Sequence, residues 1–176
     1  RRQRQMCIRD RYKNHRKGGI IGINIDDGDS VLQALRANSS DHLLILTRNG
    51  KGLRFSCDQL RDQGRVTRGV RGIRLKDQDV VVNMLTVEEE KLLLIAGKNG
   101  LGILTRFSAF LPNGGKPADD SVDVTPRKRG GQGVTAMNTD AVCSALSVSE
   151  ESEILMITSR GQAVRCPVLN IRETNR

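Results

Sequence analysis

Gly69-Val70-Arg71-Gly72-Ile73 recurs twice more in this chain of 176 residues, and this recurrence decides the fold. Gly19-Ile20-Ile21-Gly22-Ile23 stands fifty residues earlier, and Gly133-Val134-Thr135-Ala136-Met137 is a looser copy. In the three copies a turn glycine follows the opening glycine after 31, 31 and 28 residues, and these turn glycines are Gly50, Gly100 and Gly161. Repetition with a period of about 50 residues is typical of arrays that stack copies of one small unit.

Each unit contains four short runs of strand-like composition. Asn49-Gly50 and Asn99-Gly100 favour the positive φ angles of a two-residue hairpin turn, and we expect Gly161 to act in the same way. The last two strands of each unit should therefore pair. The predicted strands are 20–25, 31–37, 43–48 and 53–57 in the first unit, 70–75, 80–86, 92–97 and 103–107 in the second, and 134–137, 141–147, 154–159 and 163–166 in the third.

These runs predict an all-β, propeller-like array of about three four-stranded blades, a fragment of a larger disc. The chain has only four aromatic residues, so we expect a core of Val, Ile, Leu and Met. Extra length between the second and third units indicates an exposed loop rich in Pro, Gly and Asp. The expected boundaries are an N-terminal arm at 1–15, blades at 16–64, 65–110 and 127–170, an inserted loop at 111–126, and the start of a truncated next blade at 171–176.

The formal net charge of +9 is unevenly distributed, because residues 1–17 supply +7 of it. Met6-Cys7-Ile8-Arg9-Asp10-Arg11 resembles the in-frame translation of a sequencing adapter, and we expect roughly residues 1–15 to be partly artefactual. The alternative is a natural basic arm. The net charge therefore says less about partners than the position of each charge does.

Charges segregate by position within the repeat. Basic residues fill the loops that precede each opening strand, and acidic residues fill the other turns, such as Glu88-Glu89-Glu90. Arg65, Arg68, Arg71 and Arg74 are spaced by three residues, about 10 Å in an extended chain, a reach that suits successive phosphates of a nucleic acid. Stacked units should bring equivalent loops to one rim, which predicts a basic rim and an acidic rim.

The sequence gives little support to nucleotide binding, catalysis or metal binding. Arg127–Gly133 is rich in glycine but lacks the Gly-Lys-Ser/Thr ending of a phosphate-binding loop. His42 follows Asp41 in a predicted turn, while Cys57 and Cys166 sit late in predicted strands and are interpreted as packing residues. We therefore expect no catalytic constellation, no cofactor and no metal site.

The predicted compartment is the cytoplasm. The four cysteines lie far apart without a C-x-x-C pair, which argues against zinc or a disulfide framework and for a reducing environment. No apolar run reaches 18 residues and no signal-peptide pattern is present, so we expect no membrane partner.

Three motifs resemble the C-terminal domain of the A subunit of DNA gyrase and its paralogue in topoisomerase IV. They are Gly64-Arg65-Val66-Thr67-Arg68-Gly69-Val70-Arg71-Gly72-Ile73, Leu46-Thr47-Arg48-Asn49-Gly50-Lys51-Gly52-Leu53-Arg54, and Arg129-Gly130-Gly131-Gln132-Gly133-Val134. The resemblance covers about residues 16–176. It implies a β-pinwheel, in which neighbouring blades exchange a strand and a basic perimeter binds and bends DNA without cutting it.

The resemblance also implies the partners and the contact residues. The partners would be double-stranded DNA, the B subunit of the topoisomerase and the remainder of its A subunit, in an ATP-dependent parent enzyme whose catalytic groups lie elsewhere. The residues expected to contact DNA are Arg16, Lys17, Arg48, Lys51, Arg54, Arg65, Arg68, Arg71, Arg74, Lys98, Arg106, Arg127, Lys128, Arg129, Arg160 and Arg165. The alternative function, from a different class, is a protein-interaction scaffold that uses the acidic rim.

The chain departs from the resembled pattern at one informative place. The gyrase box Gln-Arg-Arg-Gly-Gly-Lys-Gly is matched at four of its seven positions by Arg127–Gly133, with Gln132 where the lysine would be. The sequence therefore leaves gyrase and topoisomerase IV both open.

Overall fold

A computed structural model describes residues 19, 21–63, 67–76, 78–116, 125–139 and 141–174. The predictions for the arm at 1–15 and for Arg16, Lys17 and Arg65 fall outside these residues. The chain divides into two compact units, one made of residues 1–31 and 60–70, the other of residues 32–59 and 71–176. All strands of the described residues belong to the second unit.

The regular structure of the described ranges consists of β-strands joined by turns and short 3₁₀ segments, which confirms the predicted all-β class. The strands are β1 (His42–Thr47), β2 (Lys51–Ser56), β3 (Val81–Thr86), β4 (Leu92–Gly97), β5 (Gly102–Arg106), β6 (Val134–Thr135), β7 (Val142–Val148), β8 (Glu153–Ile157) and β9 (Ala163–Pro167). Short 3₁₀ segments follow β2, β5 and β9 at Cys57–Gln59, Phe107–Phe110 and Val168–Asn170, so each repeat leaves its hairpin in the same way.

Three antiparallel hairpins form where the turn glycines predict them. β1 pairs with β2, β4 with β5, and β8 with β9. The turn itself differs from the prediction, because the amide of Gly50 donates to the carbonyl of Thr47 at 3.0 Å and Asn49 is not among the positive-φ residues. Gly50 is thus the fourth residue of the turn, with φ 70°, in the pattern of a longer hairpin loop that ends in a left-handed residue.

Each of the first two hairpins receives a third strand from the repeat that follows it. β3 pairs antiparallel with β1, with Leu85 opposite Leu44, and β7 pairs antiparallel with β4, with Leu146 opposite Leu94. The resulting sheets have the orders β3-β1-β2-β6 and β5-β4-β7, while β8 and β9 form a two-stranded sheet. The strand exchange that the resemblance implies therefore occurs twice among the described strands.

Apolar side chains of neighbouring sheets share one core. Leu44 and Leu46 of β1 lie in the same buried cluster as Leu93 and Ile95 of β4. Phe110 belongs to this cluster and packs so closely on Gly52 that a Cβ there would lie 2.4 Å from its ring. The core is thus less purely aliphatic than expected, because all three phenylalanines, Phe55, Phe107 and Phe110, are buried.

Three predicted strands, at 20–25, 31–37 and 70–75, are wrong for the residues that the structure describes, because none of them gains a ladder of backbone hydrogen bonds. The first makes one such bond, from Asn24 to the carbonyl of Thr67 at 3.1 Å. In the second, the side chain of Gln33 accepts a bond from the amide of Met84 at 3.2 Å. An apolar run forms a strand only where another strand lies beside it and pairs with its backbone N–H and C=O groups.

The third hairpin shows what the exchanged strand contributes. Leu44 and Leu155 hold equivalent positions, opposite Arg54 and Arg165 respectively. Leu44 belongs to the shared core with 0 % of its surface exposed, whereas 71 % of Leu155 is exposed. No strand of the described residues pairs with the free edge of β8. Burial in this fold therefore depends on the next repeat.

Arg54, one of the predicted DNA contacts, is buried and bonded within the fold. Its side chain is only 3 % exposed and forms an ion pair with Glu89 in the turn after β3. Its guanidinium also donates to His42 Nδ1 and to the carbonyl of Phe107, each at 3.2 Å. A buried charge is tolerated only when it is paired and hydrogen-bonded, as here. Arg54 therefore joins β2 to the turn that follows the exchanged strand, and its contact with DNA stays a prediction.

Leucine-to-alanine substitutions at the two equivalent positions should have different effects on stability. Leu44→Ala should lower the free energy of unfolding by about 2–5 kcal/mol, because it opens a cavity in a closed core. Leu155→Ala should change it by less than about 0.5 kcal/mol, because that side chain is already in water. Urea unfolding of both variants measures the difference, and equal losses would contradict the strand topology.

The environment of His42 predicts an acid-sensitive stability. Burial, and then the neighbouring Arg54, holds the pKa of His42 below its ordinary value of 6.5, although Glu89, Asp58 and Asp41 act in the opposite direction. The unfolded chain therefore takes up this proton first, so the free energy of unfolding should fall as the pH drops from about 7.5 through 6.5. His42→Asn, which keeps an acceptor for Arg54, should weaken this dependence in urea unfolding at about pH 7.5 and about pH 5.5. An identical pH dependence in both proteins would show that His42 is not responsible.

Candidate nucleic-acid interface

Two basic loops of the second unit are joined by their backbones. The amide of Gly130 donates to the carbonyl of Gly72 at 2.7 Å, and the amide of Arg74 donates to the carbonyl of Gly131 at 2.8 Å. Gly130 has φ 80°, a conformation that side chains other than glycine rarely adopt. The loop before β3 and the loop before β6, predicted separately from the repeat, therefore form one surface, which we call the paired basic loops (residues 71–76 and 127–133).

Gln59 holds the second of these loops in place. Its amide nitrogen donates to the carbonyl of Arg127 at 3.3 Å, and its amide oxygen accepts from the backbone of Arg129 at 2.7 Å. Gln59 lies in the 3₁₀ segment after β2, about seventy residues earlier in the chain. Gln59 was not predicted as a site residue, because no local pattern signals a bond across that separation.

Arg127 and Arg129 form hydrogen bonds that hold the loop before β6 in place, in addition to contributing positive charge to its surface. The guanidinium of Arg127 lies 3.4 Å from the carbonyl of Phe110, and that of Arg129 donates to the carbonyl of Arg71. Both side chains are at least partly exposed. These bonds use part of their donor capacity, and contact with DNA stays a prediction for both.

The exposed cations of the paired basic loops carry the positive charge of this surface. They are Arg71, Arg74, Lys76 and Lys128, and none of these four side chains makes a hydrogen bond or ion pair with another described residue. Lys76 was not among the predicted contacts. Lys76 could have been predicted from the sequence, because it follows Arg74 by two residues in the same basic loop.

The hairpin turns contribute further basic residues. In the first turn Arg48 donates to the carbonyl of Gln78 at 2.9 Å and Lys51 donates to Thr135 Oγ1 at 2.8 Å. In the other two turns Lys98 and Arg160 are exposed. All four are thus at or near the surface, and their contact with DNA stays a prediction.

Two predicted contacts are paired with acids at the surface. Arg106 Nε lies 2.9 Å from Glu173 Oε1, and Arg165 forms an ion pair with Glu153. Exposed ion pairs contribute only about 0–1 kcal/mol, so a phosphate could replace either carboxylate. These two arginines stay predictions.

Arg68 belongs to the other compact unit. It forms an exposed ion pair with Asp26 of that unit at 3.1 Å. Its contact with DNA also stays a prediction.

Acidic residues lie at the other end of β3 from the basic loop. The turn after this strand contains Glu88, Glu89 and Glu90, and Lys91 forms an ion pair with Glu88 that helps to hold the pKa of this carboxyl below its usual range. The strand between loop and turn has six residues, about 17 Å of chain. Glu88–Glu90 therefore lie at the opposite end of β3 from the basic loop, as predicted. Asp79, which was expected with them in the acidic turns, instead lies at the basic end of the strand, near Arg74 and Lys76, where its Oδ1 accepts a bond from the amide of Asn49.

Metal-binding clusters, cysteine thiols and apolar helices are other kinds of site that the described ranges could offer. No group of three or more His, Cys, Asp and Glu side chains there could hold a metal ion. Burial raises the pKa of the Cys57 thiol, which disfavours the reactive thiolate. None of the helical segments in this part of the chain is long and apolar enough to cross a membrane.

The chain matches one family profile, described as the DNA gyrase C-terminal domain, beta-propeller, at residues 10–38, 41–88, 122–145 and 152–176. It is 34 % identical to the DNA gyrase A protein of Deinococcus deserti over 183 residues, covering 94 % of this chain and 20 % of that protein. It is 29 % identical to the DNA gyrase A protein of Mycolicibacterium smegmatis over 175 residues, covering 94 % of this chain and 19 % of that protein. The chain thus spans about a fifth of the length of these relatives.

Solved structures give the same result. The structure of a DNA gyrase A C-terminal domain is similar with a TM-score of 0.72 and 29 % identity, over 90 % of this chain and 51 % of that one. The C-terminal domain of DNA topoisomerase IV has a TM-score of 0.78 at 20 % identity, over 94 % of this chain and 49 % of that one, a likeness of fold. The predicted β-pinwheel class is confirmed. With its repeats, exchanged strands and matched segments, the chain belongs to the DNA gyrase C-terminal domain family.

Proposed function

We propose that this chain is a non-catalytic DNA-binding and DNA-wrapping domain of a type IIA topoisomerase A subunit, and specifically of gyrase. The paired basic loops are the observation on which the proposal rests. They place four exposed cations on one surface, while the acidic turn lies at the other end of β3. Such a surface suits the phosphate backbone, which is recognised by charge and not by base sequence.

Gyrase is favoured over topoisomerase IV by the comparisons. The matching profile describes the gyrase domain, and identity is 29 % to the solved gyrase domain against 20 % to that of topoisomerase IV. The parent enzyme would be ATP-dependent and cytoplasmic, and its catalytic groups would lie in the B subunit and in the remainder of the A subunit. This chain would bend DNA and present it for strand passage.

Removing three cations from the paired basic loops should weaken DNA binding equally for unrelated sequences. The variant Arg71→Ala/Arg74→Ala/Lys128→Ala should flatten the dependence of log affinity on log salt by about 2.7, since each lost phosphate contact removes about 0.9. Fluorescence anisotropy with two duplexes of unrelated sequence between about 50 and 200 mM salt measures this slope.

The matched control removes three exposed cations elsewhere, Arg36→Ala/Lys116→Ala/Arg172→Ala. It should leave the slope close to that of the unmodified chain. Because residues 1–17 are the same in all three proteins, their contribution to the salt slope cancels when the slopes are compared. Equal losses in both variants would show an effect of net charge alone, and a loss for one duplex only would indicate base readout. If no protein bound DNA, the scaffold function that uses the acidic turns would replace this proposal.

Wrapping, as distinct from binding, should change DNA topology. A nicked plasmid sealed by ligase in the presence of the chain should yield topoisomers whose mean linking number moves steadily with protein concentration. The reason is that DNA curved around the basic surface has constrained writhe. Binding that left the topoisomer distribution in place would show that the chain holds DNA without wrapping it.

A further inference from the structure

A cleft of about 220 Å³ lies between the first hairpin turn and the paired basic loops. Asn49 and Lys51 line it from the turn, Arg74 and Lys76 from the loop before β3, and Gln132 and Gly133 from the loop before β6. Three segments that are far apart in sequence thus meet at one concave place within the second unit. Strand exchange brings them together, because β3 lies beside the hairpin of the preceding repeat.

The cleft is cationic despite one carboxylate. Lys51, Arg74 and Lys76 contribute three positive charges, and Asp79, which also lines it, contributes one negative charge. Asp79 is buried, and its Oδ1 accepts bonds from the amides of Asn49 and Val80, both at 2.9 Å. Its charge is therefore already engaged by the protein.

The walls of the cleft are held before any ligand arrives. The bond from Asn49 to Asp79 ties the hairpin turn to the loop before β3. The amide of Lys51 donates to Thr47 Oγ1 at 3.1 Å, and the carbonyl of Gly52 lies so close to Gly133 that a Cβ there would clash with it at 2.5 Å. A site that does not have to be ordered on binding retains more of its interaction energy.

Size and charge together indicate the ligand. Pockets that enclose a drug-sized molecule measure about 300–1,000 Å³, so this cleft suits a smaller group. Lysine and arginine at a concave site recognise phosphate, and the side-chain amides of Asn49 and Gln132 can donate to phosphate oxygens as well. We propose that the cleft binds one phosphodiester of the DNA backbone and so fixes the register of the duplex on this blade. This inference rests on the proposed DNA-binding function.

Gln132 allows a test in which binding is gained. It is exposed and neutral, so Gln132→Lys should add a fourth cation to the cleft and steepen the salt slope by about 0.9. Lys76→Ala should flatten the slope by about 0.9 and weaken binding about fivefold at a fixed salt concentration. Lys116→Ala, an exposed cation on another loop, is the matched control and should change neither quantity.

The experiment measures duplex affinity against salt for these four proteins, with circular dichroism to verify folding. If Lys76→Ala and Gln132→Lys both behaved like Lys116→Ala while the unmodified chain still bound DNA, the cleft proposal would be wrong and the proposed function would stand. If the unmodified chain failed to bind, the proposed function itself would fall.

A second measurement separates DNA from free phosphate as the source of the ligand. Amide signals of Asn49, Gln132 and Gly133 should shift in heteronuclear NMR when a short duplex is added, and millimolar pyrophosphate should reduce those shifts by competition. Shifts with pyrophosphate but none with DNA would overturn the proposal in favour of a site for small phosphates.

Discussion

Antiparallel pairing between one repeat and the next is the constraint on which the rest of this structure depends. β3 leaves its own repeat to complete the hairpin β1–β2, and β7 does the same for β4–β5. Backbone hydrogen bonds fix the register of each exchanged strand, so the segment before it must arrive at the turn of the neighbouring hairpin. Leu44 is buried where this pairing occurs and Leu155 is exposed where it does not, which shows how much of the core depends on it.

The same pairing assembles the charged surface. Because β3 begins beside the first hairpin turn, Gln78 and Asp79 receive bonds from that turn, and the cations just before them reach its edge. The loop before β6 is attached to Gly72 and Arg74 by backbone hydrogen bonds, and to Gln59 by a hydrogen bond from its side chain. Basic residues from segments far apart in the sequence thus share one surface without a dedicated helix or sheet to hold them.

Local signals predicted the hairpins, and long-range contacts account for most of what the sequence did not show. The turn glycines located all three hairpins, because a left-handed position is a requirement of the backbone itself. The run at 31–37 has the composition of β3 and β7, yet it forms no strand because no described hairpin lies beside it. Whether such a segment forms a strand depends on a hairpin in the neighbouring repeat, so the sequence of one repeat does not predict it.

The predicted contact residues illustrate the same limit. The residues around Arg54 in the sequence suggest a cation at the surface. In the structure its side chain is buried and forms an ion pair with Glu89, 35 residues later. Lys76 and Gln59 gain their places only when the exchanged strand and the loop before β6 are in position. The exposure of Arg71 and Lys128 was predictable because charged side chains in a run of basic residues usually lie at the surface.

The most direct test of this account is amide hydrogen exchange, followed by NMR, across the exchanged strands. If β3 and β7 are integral to the neighbouring hairpins, amides of Val81–Thr86 and Val142–Val148 that bond to β1 and β4 should exchange as slowly as those between β1 and β2, at the free energy of global unfolding. Fast exchange of the exchanged strands while the hairpins stay protected would contradict the account, because the repeats would then fold as separate units.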